Sequence, residues 1–270
     1  QGIDLVIKVG GAEGVAFDGI ASDIAGLAGE GSSLVVVHGG SAEATGLGIR
    51  LGITPEFIMS PSGNVSRRSD RRTIEVLMMA CAGKVNKTLV EAMQARGVNA
   101  VGLTGLDGRL LTGSRKKAIR SVRDGKVLTL RDDFGGRVEE VNTGLLRMLT
   151  VAGYVPVIGP LALSREGEAL NVDADRAAAA VASAMHANAL VILTNVPGLL
   201  RDPGDESTLI PRIPVECIEE CGRYAVGRMK KKILAAREAL AGGVGRVIIS
   251  DARRAEPIRD ALAGEGTVIE

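Results

Sequence analysis

The chain has 270 residues, 46% of them hydrophobic and 24% charged, and 33 Lys and Arg against 32 Asp and Glu give a formal charge of +1. This balance supports an ordinary buried core and excludes a strongly basic nucleic-acid binder and a polyacidic tail protein. Aromatic residues make up 2%, with no Trp, which excludes base-stacking platforms. No apolar run approaches the roughly 20 residues of a membrane helix.

Apolar runs alternate with helical patterns along the chain. Leu5-Val6-Ile7 reads as a strand, and Phe17, Ile20, Ile24 and Leu27 recur at helical spacing. Leu34-Val35-Val36-Val37 is a second strand, followed by helical patterns near 42–51, 71–81 and 84–96 and by the extended Ala100-Val101-Gly102-Leu103. Residues 109–130 read as short β-type runs broken at Arg115-Lys116-Lys117 and Asp124-Gly125, a hairpin signal. A helix is expected near 139–152, a strand at Val155-Pro156-Val157-Ile158, and an Ala-rich helix from Asp173 to Met185 with Asp173 as its N-cap. Leu190-Val191-Ile192-Leu193, a helix over about 228–241, Val247-Ile248-Ile249, a short helix and Thr267-Val268-Ile269 complete the pattern. Continuous apolar strands between helices predict an α/β protein with a mainly parallel sheet covered on both faces, in one domain.

In such sheets ligands lie beyond the carboxyl ends of the strands. Two of these ends, Gly10-Gly11 and Gly39-Gly40, are glycine pairs leading towards a helix. Bare glycines let backbone N–H groups approach an anion, and a helix N-terminus favours negative charge. Lys8 sits inside an apolar strand just before the first pair, where a lysine is almost never buried unless paired. A cation aimed at a phosphate fits it better than a simple ion pair. No P-loop sequence occurs, and Asp133-Phe134-Gly135 spells a protein-kinase tripeptide without its companion motifs, so it is read as chance. Cys81, Cys217 and Cys221 form neither a disulfide framework nor a zinc site. In the helix near 228–241, Met229, Ile233, Ala236 and Leu240 define the buried stripe. Lys231 then points away, and Lys230 and Lys232 lie at the two borders, equally able to reach a cleft.

Lys8-Val9-Gly10-Gly11, His38-Gly39-Gly40, Asn171-Val172-Asp173-Ala174-Asp175 and Gly227-Arg228-Met229-Lys230-Lys231-Lys232 resemble, in order and spacing, the amino acid kinase superfamily. The resemblance covers essentially the whole chain and implies a three-layer αβα sandwich. It places an amino-acid-substrate lobe over about 1–170 and a nucleotide lobe over about 171–270. The nearest branch is acetylglutamate kinase. Val9 to Gly14, His38 to Glu43 and Gly105 to Leu110 resemble in particular the kinases acting on 2-aminoadipate or glutamate attached to an amino-group carrier protein. Ser41 stands where acetylglutamate kinases usually have a third glycine, and Asn195 replaces an acidic residue common elsewhere in the superfamily.

The implied reaction moves the γ-phosphoryl of ATP onto a side-chain carboxylate, with Mg²⁺ held mainly by phosphates and water. By resemblance Lys8 and Lys232 flank the transferring phosphoryl group, the family spacing selecting Lys232 over Lys230. Asp175 orients the two lysines. Gly39, Gly40, Arg67 and Asn171 would bind the amino-acid substrate, with Arg68 a rival to Arg67 as carboxylate ligand. Gly10, Gly11, Thr194, Asn195, Gly198 and Leu199 would border the nucleotide. His38 is read as a hydrogen-bonded turn residue, and no protein metal ligand is expected.

Between Arg109 and Lys126 seven basic residues face one acidic residue. Arg115, Lys116, Lys117 and Arg120 suggest a docking surface for an acidic carrier protein, against the plainer reading of a solvated hairpin. Neither nucleic acid nor membrane is an expected partner, and the expected location is cytoplasmic. A homodimer is the expected assembly. Two alternatives stay open: an acetylglutamate kinase, and a nucleotide-binding regulatory module on the same fold.

Overall fold

The structure is a computed structural model that describes residues 2–11, 17–59, 65–115, 118–123 and 126–270. In chain order it forms β1 (Leu5–Val9), α1 (Phe17–Gly29), β2 (Leu34–His38), α2 (Ser41–Arg50), β3 (Phe57–Met59), β4 (Val65–Arg67), α3 (Arg71–Leu77), α4 (Asn86–Gln94), β5 (Ala100–Thr104), β6 (Leu111–Arg115), β7 (Ile119–Arg123) and β8 (Lys126–Leu130). There follow β9 (Gly136–Val141), α5 (Thr143–Val151), β10 (Val155–Gly159), β11 (Leu161–Ser164), β12 (Ala169–Asn171), α6 (Ala174–Ala184), β13 (Ala189–Thr194), β14 (Arg212–Ile213), α7 (Ile218–Gly222), α8 (Met229–Ala241), β15 (Arg246–Asp251), α9 (Pro257–Leu262) and β16 (Thr267–Ile269).

Eight strands form the central sheet in the order β14-β16-β15-β13-β1-β2-β10-β5. Every neighbouring pair is parallel except β15 with β16. The pleat divides each strand between two cores. Leu5, Ile7 and Val9 of β1 pack with Ile20 and Ile24 of α1, Leu89 of α4 and Ile258 of α9. Val6 packs with Leu146 of α5, Ala178 and Val181 of α6, and Ala236 of α8. Helices cover both faces, so the three-layer sandwich expected from the continuous apolar runs is what forms. α6 and α8 meet through alanines (Ala177, Ala178, Ala235, Ala239), which lets their backbones come close.

A four-stranded sheet, β12-β11-β6-β9, lies beside the main one, and β3-β4 and β7-β8 are two hairpins. The second hairpin falls where the sequence signals one, with Arg123 paired to Lys126. Other elements differ from expectation. The helix expected near 139–152 starts only at Thr143, because Asn142 caps it by accepting from the Leu145 N–H at 3.1 Å. The residues before it are β9, paired with β6. The two helices expected at 71–81 and 84–96 are one helical run, in which Met78–Val85 takes the wider π form between α3 and α4. Asp23, buried in α1, accepts from the Ile258 and Arg259 N–H groups and so ties α1 to the start of α9.

Candidate active site

The pleat of β1 decides where Lys8 points: on the face of Val6, towards α6 and α8. Asp175 stands in the first turn of α6, whose N-cap Asp173 accepts from the Asp175 and Arg176 N–H groups at 3.0 and 3.1 Å. Lys232 stands in the first turn of α8. The three side chains meet. Lys8 Nζ lies 2.6 Å from Asp175 Oδ1, and Lys232 Nζ lies 3.0 Å from Oδ2 and 3.2 Å from Oδ1. Lys8 is 5%, Asp175 6% and Lys232 7% exposed. Lys230 is exposed, and Lys231 is paired on the surface with Asp173 at 3.4 Å, so the choice that periodicity left open falls to Lys232.

Burial is the largest influence on Asp175 and would raise its pKa, but the charges and hydrogen bonds of the two lysines outweigh it and hold the carboxyl at about 2. Burial, and next the charge of Lys8, lower Lys232 to about 8 although Asp175 pulls the other way. Two buried cations share one anion, so the trio carries a net positive charge that water cannot reach. A second anion would complete it.

The glycine pairs lie against each other beside this trio. A Cβ on Gly11 would stand 2.3 Å from the Gly40 nitrogen, and one on Gly39 would stand 2.8 Å from the Gly11 nitrogen. Gly40 precedes α2 and no side chain caps that helix start, which leaves its N-terminal end turned to the cleft. Gly11→Ala is expected to push the two loops apart by about 1 Å and to lower kcat/KM by about 100-fold. Steady-state kinetics with a thermal melt would check this; unchanged kinetics would contradict the close approach.

His38 is fully buried and acts through its neighbours. Its Nδ1–H donates to the Gly39 carbonyl at 2.7 Å, and Nε2 accepts from Asn86 Nδ2 at 3.0 Å. Burial first, and then the charges of Lys8 and Lys87, push its pKa down to about 4, so it stays neutral and holds the Gly39 carbonyl in place. Asn86 also donates to the Val157 carbonyl at 2.9 Å. Its role was not read from the sequence. The signal was there: Asn86 shares a helical stripe with buried Leu89 and Met93, an apolar face that does not ordinarily hold an amide.

Arg67 and Arg68, adjacent in sequence, have separate environments. Arg68 is bound to Glu56 at 2.8 Å and Asp132 at 2.7 Å. Arg67 stacks on Phe57, 5.1 Å from the ring centroid, and its Nη2 donates to Thr45 Oγ1 at 2.7 Å and the Ser41 carbonyl at 3.1 Å in the first turns of α2. Among the described residues it has no carboxylate partner. Asn171 Nδ2 donates to Ser69 Oγ at 2.9 Å, and Ser69 Oγ donates to the Arg67 carbonyl at 3.2 Å, so Asn171 and Arg67 are linked through one serine.

Two groups of the expected residues have further engagements. Arg115, expected at the docking surface, is half-buried and engaged within the chain. Its guanidinium lies 3.9 Å over the Phe134 ring, donates to the Asp133 and Arg131 carbonyls and pairs with Glu168 at 3.3 Å. These contacts fix the Asp133-Phe134-Gly135 loop, where Asp133 accepts from the Ser69 and Gly135 N–H groups, a structural use of the tripeptide. Lys116 and Lys117 lie outside the described residues, as does the side chain of Arg120. On the nucleotide side, Thr194 ends β13 and Asn195 is exposed beyond it. Leu199, however, is a core residue at 1% exposure whose N–H donates to Thr267 Oγ1, and a Cβ on Gly198 would meet that same oxygen at 2.5 Å. These two anchor the loop against β16, with the Leu199 side chain turned into the core. Asp251, not among the expected site residues, ends β15 level with Thr194 and is held by Arg253.

Residues 5–251 match the amino acid kinase family. The chain is 54% identical over 98% of its length, and 91% of the relative's, to a protein of Deinococcus radiodurans named [LysW]-aminoadipate kinase. It is 52% identical, over 98% of its length and 99% of the relative's, to one of the same name from Thermus thermophilus. Among solved structures, an N-acetylglutamate synthase from Neisseria gonorrhoeae in complex with coenzyme A and N-acetyl-glutamate superposes with a TM-score of 0.80 at 28% identity. It covers all of this chain, which in turn spans 59% of that synthase. No described helix is long and apolar enough to cross a membrane.

Proposed function

The chain belongs to the amino acid kinase family, and from that premise we propose that it transfers the γ-phosphoryl group of ATP to the side-chain carboxylate of 2-aminoadipate held through its amino group on a carrier protein, giving an acyl phosphate for lysine biosynthesis. It is an ATP-dependent phosphotransferase with a carboxyl group as acceptor. The observation that carries the chemistry is the pair of buried lysines on Asp175 beside a glycine-lined helix start. The two relatives named for aminoadipate on LysW support the substrate.

The acceptor carboxylate has a reference pKa of about 4.3 and is ionised at neutral pH. It needs no general base, so the work is alignment and charge neutralisation. Lys8 and Lys232 take the equatorial oxygens of the migrating group from two sides. Asp175 holds both ammonium groups at fixed positions without touching the phosphoryl itself. Gly10, Gly11, Gly39 and Gly40 let backbone N–H groups approach the phosphates. Arg67 grips the α-carboxylate, and the oxygen of Asn171 accepts the N–H of the amide link. The nucleotide lobe, about 171–270, offers Thr194 and Asn195 at the end of β13.

Among the described residues no three His, Cys, Asp or Glu side chains gather about one point, and Asp175 is taken by the lysines. Mg²⁺ fits here as the counter-ion of the nucleotide, held by phosphate oxygens and water, where it neutralises phosphate charge. The finer parts of the same reading are an acidic carrier surface meeting Lys116, Lys117 and Arg120, a cytoplasmic location, and a homodimer to which exposed Met148 and Val151 on α5 would contribute.

The test is a hydroxylamine trap, which converts an acyl phosphate to a hydroxamate. With ATP and Mg²⁺, hydroxamate is expected from aminoadipate-loaded carrier and far less from free N-acetylglutamate, with a carrier KM that rises with salt. Equal turnover of both would remove the carrier-dependent reading in favour of an acetylglutamate kinase. No turnover of either would leave the regulatory module.

A further inference from the structure

Asp133 is 1% exposed, and an acid buried so deeply is ordinarily paired with a cation. Among the described residues its carboxylate has none, since Arg115 donates to the main-chain carbonyl of Asp133 instead. The carboxylate holds backbone. Its Oδ2 accepts from the Ser69 N–H at 2.8 Å and its Oδ1 from the Gly135 N–H at 2.6 Å. A Cβ on Gly135 would stand 2.6 Å from that same Oδ1, which keeps the position to glycine. Between these anchors the Phe134 N–H donates to the Ser69 carbonyl at 2.7 Å, and the Phe134 carbonyl accepts from the Asn171 N–H at 2.9 Å. Gly135 pairs with Asn171 as a short parallel bridge. The Asp133-Phe134-Gly135 segment is thus a splint between Ser69 and Asn171, which lie 102 residues apart in sequence.

The direction of the hydrogen bonds shows what the splint serves. Ser69 is fully buried, and its hydroxyl has a single proton, which goes to the Arg67 carbonyl at 3.2 Å. Towards Asn171 the hydroxyl oxygen then acts as acceptor, so Asn171 presents its Nδ2–H, at 2.9 Å, and turns its Oδ1 the other way. That Oδ1 is the atom assigned above to the N–H of the amide link. The same serine holds the main chain of Arg67, whose guanidinium is assigned to the α-carboxylate. One buried hydroxyl therefore sets both contacts to the groups on the substrate α-carbon, and Asp133 holds the main chain that carries it.

We propose that Asp133 is a positioning residue for the substrate grip: through Ser69 it fixes Arg67 and the amide of Asn171, and so governs recognition of the α-carboxylate without touching the substrate. This rests on the assignment of Arg67 and Asn171 above. Asp133→Asn keeps the shape of the side chain but sets an NH₂ group against one of the two N–H donors whichever way the amide turns. The test uses the full chain and carrier loaded with 2-aminoadipate or with 5-aminopentanoate, the same chain without the α-carboxylate. In the wild type, loss of that carboxylate should raise KM about a hundredfold, the scale of a charge-assisted contact. In Asp133→Asn the KM for the aminoadipate carrier should rise about tenfold with the KM for ATP unchanged. The ratio between the two carriers should shrink to about tenfold, because the grip that the analogue lacks is already loosened. Ser69→Ala leaves the backbone bonds of the splint in place and removes only the hydroxyl, and it should narrow the ratio in the same way.

A role confined to stability would lower the melting temperature and leave the ratio at its wild-type value. An unchanged ratio in Asp133→Asn, or in Ser69→Ala should the first variant fail to fold, would overturn the inference while leaving the carrier-dependent kinase intact. A wild-type enzyme that phosphorylates free N-acetylglutamate but no loaded carrier would remove the carrier reading alone. The same ratio, taken between N-acetylglutamate and 4-acetamidobutanoate, would then decide the role of Asp133.

Discussion

Lys8→Met is expected to lower kcat by about a thousandfold, the scale on which a preorganised cation or hydrogen-bond donor contributes to phosphoryl and acyl transfer. The fold should tolerate the change. β1 is buried along its whole length, and methionine is unbranched and apolar, able to occupy the path of the lysine stem. What remains is Asp175 paired with Lys232 at 3.0 Å, one anion against one cation, so no uncompensated charge is left in the interior. Turnover should collapse while the melting temperature stays within a few degrees of wild type. Turnover within tenfold of wild type would contradict the assignment of Lys8 to the migrating group.

Asp175→Asn should behave in the opposite way and damage both stability and chemistry. It leaves two ammonium groups facing each other in a place where each is less than a tenth exposed. Removing one partner from a buried ionic cluster typically costs about 3–5 kcal/mol, which a denaturant titration would read. The pH dependence has a definite sign. Asp175 titrates at about 2, below its ordinary 3.8, so its stabilising contribution is present above pH 4 and is lost as the pH falls towards 2. The stability gap between wild type and Asp175→Asn should therefore be full above pH 4 and shrink below it. Lys232 already titrates at about 8 with Asp175 supporting its charge. In the wild type, turnover should decline as the pH rises through about 8. In the variant that support is gone, and the decline should begin at lower pH. An unmoved alkaline limb would mean that Lys232 does not act as a cation in the reaction.

The layers of the fold were legible in the sequence because parallel strands buried on both faces read as unbroken apolar runs, and Leu34–His38 and Ala189–Thr194 are of that kind. The position of Lys8 was legible for the same reason, since a charge inside such a run stands out. What escaped was mostly short or long-range. β3, β4, β11 and β12 have three or four residues each, too few for a period to show. Val138, Val141 and Leu145 fall at helical spacing, yet the first two belong to β9, because pairing with β6 overrides the local pattern. The π turn at Met78–Val85 widens the helix without changing its composition. Arg115 reads as one charge among seven in the hairpin region, and only the arrival of Phe134 and Glu168 from distant segments reveals that its guanidinium is engaged. Lys230 and Lys232 are equivalent borders of one stripe until α6 brings Asp175 to one of them.

The most direct measurement is a crystal structure of the enzyme with ADP, Mg²⁺, a fluoride mimic of the migrating phosphoryl group and the aminoadipate substrate. The Nζ atoms of Lys8 and Lys232 should both lie within hydrogen-bond distance of the mimic, on different sides of it, with Asp175 still bridging them. A mimic bound elsewhere, or either ammonium turned away from it, would contradict the account.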